Sequence, residues 1–125
     1  MASALNWFEI PATDIERASR FYSTILDTRL EMMDTPTFKT AMFPSDMEHG
    51  EVGGAISQAE GLTPSATGSL IYLNANPDLQ PVLDRVEAAG GKVVRPKTRV
   101  EMEGGGYYAV VTDSEGNTVG LHSMG

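Results

Sequence analysis

The stretch "IPATDIERASRFYSTIL" (residues 10–26) carries a strand end, a helix-start pattern and an amphipathic helix in direct succession. Thr13 and Glu16 have the spacing of a capping box, which predicts that a helix starts at Asp14. Apolar side chains then recur at helical spacing, at Ile15, Ala18, Tyr22, Ile25 and Leu26. The stretch therefore predicts a strand followed at once by a helix with one apolar face.

The strand before this helix has two different faces. In "WFEIP" (7–11), alternation places Trp7 and Glu9 on one face and Phe8 and Ile10 on the other. Three further strands are predicted after the helix, at residues 29–34, 38–43 and 51–58. The first half of the chain thus has the order βαβββ.

The same order recurs in the second half. Residues 59–68 are rich in Gly, Pro, Ser and Thr, which is typical of a linker. A strand is predicted at 69–75, and a second helix should follow it, with Asn76 as the cap and Pro77 in the first position. The apolar stripe of that helix consists of Leu79, Val82, Leu83 and Val86, and the last three strands are predicted at 91–96, 107–113 and 117–123.

This pattern predicts one α+β domain over residues 1–125, built from two tandem βαβββ modules. The modules span about 1–58 and 69–125, with the linker at about 59–68. Each module alone is too small to bury both faces of its sheet, so we expect the two to pack together. Pairing of whole subunits is expected for the same reason.

Composition narrows the class of function. The formal net charge is −8, from 9 Lys and Arg against 17 Asp and Glu. This balance argues against nucleic-acid binding and against docking on an anionic membrane. The chain has no cysteine, so disulfides and thiolate chemistry are excluded. Without a signal-peptide pattern or a long apolar run, we expect a cytoplasmic protein.

The chain resembles the vicinal-oxygen-chelate superfamily, which includes glyoxalase I, bleomycin-resistance proteins and extradiol dioxygenases. The resemblance rests on residues 10–26, on "GSLIYLNANPDLQPVLDRVEAAGGKVV" (68–94) and on "TDSEGNTVGLHS" (112–123). It implies curved half-barrel sheets that enclose a cavity, and a homodimer. In the family's enzymes, a divalent metal in that cavity is held by His, Glu or Gln side chains.

The positions where the resemblance implies metal ligands carry other residue types here. Counting from the motifs, they fall on Trp7, on Gly54 or Ala55, on Leu70 and on Gly120. None offers the imidazole or carboxylate donor that a divalent metal needs. We therefore expect no metal cofactor, and a cavity that is widened at Gly120.

Nearby side chains are candidates for other roles. Glu9 and His122 each lie two residues beyond an implied ligand position, so both should face the cavity and could act as a general acid–base pair. The candidates for ligand binding are Trp7, Tyr72, Asn74, Gly120 and Tyr107. Each has a structural alternative, such as a core aromatic side chain or an exposed strand end.

Three functions stay open from the sequence. The first is a protein that binds a small organic molecule in its cavity without metal. The second is an enzyme of lyase, isomerase or dioxygenase type that uses Glu9 and His122 as acid and base or as unconventional metal ligands. The third is a non-catalytic dimeric partner whose own side chains fill the cavity.

Overall fold

The computed structural model describes residues 3–125, and its element order is βαβββ twice. The first module contains β1 (Trp7–Pro11), α1 (Ile15–Ile25), β2 (Glu31–Asp34), β3 (Phe38–Met42) and β4 (Gly53–Ala59). The second contains β5 (Tyr72–Asn74), α2 (Gln80–Val86), β6 (Lys92–Arg99), β7 (Tyr107–Thr112) and β8 (Thr118–Ser123). The predicted α+β fold is confirmed.

Each module forms its own four-stranded mixed sheet. The strand orders are β1-β4-β3-β2 and β5-β8-β7-β6. The first and last strands of each module run parallel to each other, and the other neighbours are antiparallel. The two orders correspond strand for strand, as a duplicated unit requires.

Both helices begin later than the sequence predicts. Asp14 is the N-cap of α1, where its side chain accepts from the Arg17 N–H, so the helix starts at Ile15. The hydroxyl of Thr13 is hydrogen-bonded to Glu115 instead. At α2, the predicted cap is wrong because the Asn76 side chain accepts from the Met124 N–H at 2.7 Å, and the helix starts at Gln80.

The core lies between the helices and one face of both sheets. It is a single apolar cluster that includes Phe21 and Tyr22 of α1 and the predicted stripe of α2. Burial of aromatic and aliphatic side chains of this size is the main favourable term in folding. Because the helices cover one face of each sheet, the opposite face of each is left open.

Polar contacts fasten α1 to the β7–β8 turn. The Tyr22 hydroxyl donates to Asp113 Oδ2 at 2.6 Å, and Arg17 Nε donates to Glu115 Oε2 at 2.6 Å. Gly116 holds the turn at a φ of 93°, where a side chain would be strained. Through these contacts, residues of the helix motif (10–26) and of the turn motif (112–123) hold α1 against the β7–β8 turn.

Candidate functional site

The open face of the first sheet carries Trp7 and Glu9. In the β1–β4 register, Trp7 pairs with Gly53 and Glu9 with Ala55, so all four share this face. Trp7 is 38% exposed and its ring lies over Gly53. The alternation read from "WFEIP" therefore placed these side chains on the face away from the core.

Glu9 is the outer end of a hydrogen-bonded chain that contains two buried hydroxyls. Ser57 Oγ donates to Glu9 Oε1 at 2.5 Å, and Ser57 Oγ and Thr40 Oγ1 lie 3.3 Å apart. Ser57 is only 2% exposed, so this face contains a short polar chain that leads inward from Glu9. Sequence reasoning missed Ser57 and Thr40. In the sequence they are only two hydroxyl residues on separate predicted strands, and their pairing becomes visible once the strand register is known.

The open face of the second sheet carries a row of hydrogen-bonding side chains. The register aligns Asn74 with His122, His122 with Tyr108, and Tyr108 with Thr98. The row therefore crosses all four strands. Asn74 uses its Oδ1 to accept from the Asn76 N–H at 2.9 Å.

The neighbouring row contains Tyr72 and Gly120. These two residues are paired across β5 and β8, and the Tyr72 ring occupies the space that a side chain at position 120 would take. The expectation of a widened cavity at Gly120 is therefore wrong, since the aromatic ring fills it. Tyr72 is nevertheless 49% exposed, so its outer face is free to meet a ligand.

The imidazole of His122 is oriented by a glycine-rich loop. His122 Nε2 lies 2.7 Å from the carbonyl oxygen of Gly105, in the loop between β6 and β7. A carbonyl oxygen only accepts hydrogen bonds, so Nε2 carries the proton. In the neutral ring, Nδ1 is then left as an acceptor, which is the state that a general base requires.

Of the two adjacent tyrosines, it is Tyr108 that lies on the open face. Tyr107 is on the opposite side of β7, partly buried against the core, with Lys97 Nζ 4.6 Å from its ring centre. Tyr108 makes an edge-to-face pair with Tyr72, at 6.3 Å between ring centres. The structure thus places Trp7, Glu9, Tyr72, Asn74, Gly120 and His122 on open faces, and Tyr107 away from them.

Glu9 and His122 have separate partners within residues 3–125. Glu9 binds Ser57, whereas His122 binds the Gly105 carbonyl. They lie on different sheets, which share no hydrogen-bonded strands. Glu9 also lines a cleft of about 260 Å³ between β1, the 63–71 segment and the start of β8. Direct pairing of the two residues is not seen in the described chain.

The implied metal positions do not fit a divalent cation. Trp7, Ala55, Leu70 and Gly120 have no donor atom for it, and the Tyr72 ring fills the space over Gly120. Among the described residues, no three His, Asp or Glu side chains converge as a metal group.

Comparison with known proteins identifies the family. The sequence profile of the Glyoxalase/Bleomycin resistance protein/Dioxygenase superfamily matches residues 4–121, so the chain belongs to this superfamily. A glyoxylase-like domain-containing protein of Didymella fabae is 30% identical over 91 residues, which cover 70% of this chain and 69% of that protein.

Solved structures share the fold at low sequence identity. A variant of glyoxalase I from Zea mays has a TM-score of 0.70 and 20% identity, covering 94% of this chain and 45% of that one. The fosfomycin resistance protein FosX from Listeria monocytogenes has a TM-score of 0.65 and 19% identity, covering 98% of this chain and 92% of that one. Within residues 3–125, no helix has the length and apolar character needed to cross a membrane.

Proposed function

We propose that this protein is a glyoxalase-like superfamily member that binds a small organic molecule without a metal at the family's ligand positions. The observation that carries the proposal is the Tyr72 ring packed over Gly120, where the family resemblance implies a metal ligand. An aromatic ring in that place supplies an apolar contact surface instead of a coordination bond.

The remaining side chains suit such a role. Trp7 and Tyr72 are large, rigid and exposed, which makes them good contacts for a flat or apolar ligand. His122, Asn74 and Tyr108 add polar groups in a fixed row, so a ligand would also be oriented. A homodimer would cover the two open faces and enclose the ligand. A cytoplasmic location stays a prediction.

The first test combines metal analysis with ligand screening. We expect protein purified without chelator to hold no stoichiometric metal, and its melting temperature to be unchanged by Mn, Fe, Co, Ni or Zn ions. A screen of small aromatic compounds should then raise the melting temperature of the wild type more than that of Tyr72→Ala. A stoichiometric metal, or equal responses of both proteins, would contradict the proposal.

A second candidate function is metal-independent acid–base catalysis. The fixed tautomer of His122 favours it, because Nδ1 is available to accept a proton. If this is correct, His122→Gln should abolish turnover of a compound found in the screen while its binding changes little. Unchanged turnover would exclude His122 as the base and leave the binding function alone.

A further inference from the structure

The second sheet has the opposite charge to the rest of the chain. Its four strands contain no Asp or Glu, but β6 alone carries Lys92, Arg95, Lys97 and Arg99. These are four of the nine lysines and arginines in a chain of net charge −8. The strands of the first sheet, in contrast, carry Glu9, Glu31 and Asp34 against Lys39.

Basic residues on an edge strand often serve only to prevent sheet-to-sheet aggregation, and β6 is an edge strand. That explanation suits Arg99, which pairs with Tyr107 on the core side of the sheet. It also suits Lys97, which forms an ion pair with Asp78 at 2.8 Å. Arg95 differs from both in its surroundings.

Arg95 lies on the same face as the polar row. The register pairs it with Val110, and Val110 pairs with Gly120, beneath the Tyr72 ring. Its guanidinium is 6.0 Å from the centre of the Tyr108 ring, and within residues 3–125 it makes no ion pair. An exposed guanidinium therefore stands beside two tyrosines on a face that has no carboxylate.

We propose that this face binds the carboxylate of an aromatic organic acid, with Arg95 as its anchor. The proposal rests on the proposed binding function and names its ligand class. A guanidinium matches a carboxylate with two parallel hydrogen bonds, and the hydroxyl of Tyr108, whose ring lies beside Arg95, is a further donor on this face. The ring of the ligand would contact Tyr72 and Tyr108.

The experiment uses paired probes: benzoate with benzamide, and phenylacetate with phenylacetamide. Binding is followed through the imidazole NMR signal of His122, while His49, exposed in the loop before β4, serves as the internal reference. We expect each acid to bind about tenfold more tightly than its amide. Arg95→Gln should remove this preference, whereas Arg99→Gln, on the same strand but the opposite face, should retain it.

The outcomes separate the ligand class from the broader function. If acids and amides bind equally, or if the two arginine variants weaken acid binding equally, the carboxylate anchor is wrong although binding itself stands. If none of the four probes moves the His122 signal and the aromatic screen also finds no binder, the binding function fails together with the anchor. Arg95→Lys should recover only part of the preference, because an ammonium cannot make the paired hydrogen bonds.

Discussion

At the scale of single residues, Glu115 shows how a buried charge can be favourable. Its side chain is 0% exposed. Burial by itself raises the pKa of Glu115, but hydrogen bonds from Arg17, from the N–H groups of Asp14 and Thr13 and from Ser114 outweigh it and lower the pKa to about 2. The carboxylate is thus satisfied by donors from both modules.

The first prediction concerns Glu115→Gln. A neutral amide loses the ionic bond to Arg17 and cannot accept as many hydrogen bonds, so the free energy of unfolding at pH 7 should fall by about 1.5–3 kcal/mol. Urea denaturation measures the change. Glu101→Gln, in an exposed loop, is the matched control and should change stability by less than about 0.5 kcal/mol.

The effect of Glu115→Gln on the free energy of unfolding should also depend on pH. The folded-state pKa is lowered from 4.5 to about 2, so the contribution of Glu115 is fully present above pH 4.5 and is lost as the pH falls towards 2. The stability difference between wild type and Glu115→Gln should therefore shrink over this window. A difference that stays constant from pH 7 to pH 2.5 would show that the charge of Glu115 has no role.

A second prediction concerns Gly120→Ala. The added methyl group would collide with the Tyr72 ring, which is exposed enough to swing outward. The variant should lose about 1–3 kcal/mol of stability, as expected for overpacking. In a Tyr72→Ala background the same substitution should cost much less, and a double-mutant cycle measures that coupling. Additive effects would mean that the ring does not pack on Gly120.

At the scale of elements, local sequence patterns predicted the features that depend only on residues close together in the chain. The apolar stripe of α2 was visible in the sequence, and Leu79, Val82, Leu83 and Val86 are all buried. Both helices begin later than predicted because the residues predicted to cap them bind residues that are distant in the sequence. Thr13 binds Glu115, which is 102 positions away, and Asn76 binds the backbone of Met124. No local signal could reveal either contact.

The third prediction concerns Asn117, which links three elements. Its Nδ2 donates to the Pro11 carbonyl at 2.7 Å and to Asp113 Oδ2 at 2.9 Å, and its Oδ1 accepts from the Ser65 N–H at 3.0 Å. Asn117→Ala should lower the free energy of unfolding by about 2–4 kcal/mol, because buried partners are left unsatisfied.

Thermal and urea unfolding measure this cost. Asn6→Ala, at an exposed position before β1, is the control and should leave stability within about 0.5 kcal/mol of wild type. If Asn117→Ala is as stable as the control, then the hydrogen bonds of Asn117 do not help to hold β1, the segment before β5 and the β7–β8 turn together.

The candidate site was less predictable than the fold for a physical reason. Alternation within one strand placed Trp7 and Glu9 correctly on an open face, since parity needs only local sequence. The choice between Tyr107 and Tyr108 depends on where β7 leaves the glycine-rich loop. The row through Asn74, His122, Tyr108 and Thr98 depends on register across four strands, which local patterns do not set.

At the scale of the whole molecule, both open faces display large apolar side chains. On the first sheet, Trp7, Met33 and Phe38 share one face and are each at least 38% exposed, and Tyr72 is exposed on the second. Met33 and Phe38 lie on adjacent strands, one residue pair apart on this face, and adjoining exposed apolar side chains of this kind favour an interaction surface there.

The final prediction is that the chain forms a homodimer through these faces. Sedimentation analysis should give twice the monomer mass at micromolar concentration, and dilution should shift the emission of Trp7, the only tryptophan, to longer wavelength. Met33→Lys places a charge on the first sheet's open face and should weaken the dimer about tenfold or more. Met102→Lys, in the exposed β6–β7 loop, is the control and should not. A wild-type chain that sediments as a monomer at high concentration would contradict this dimer.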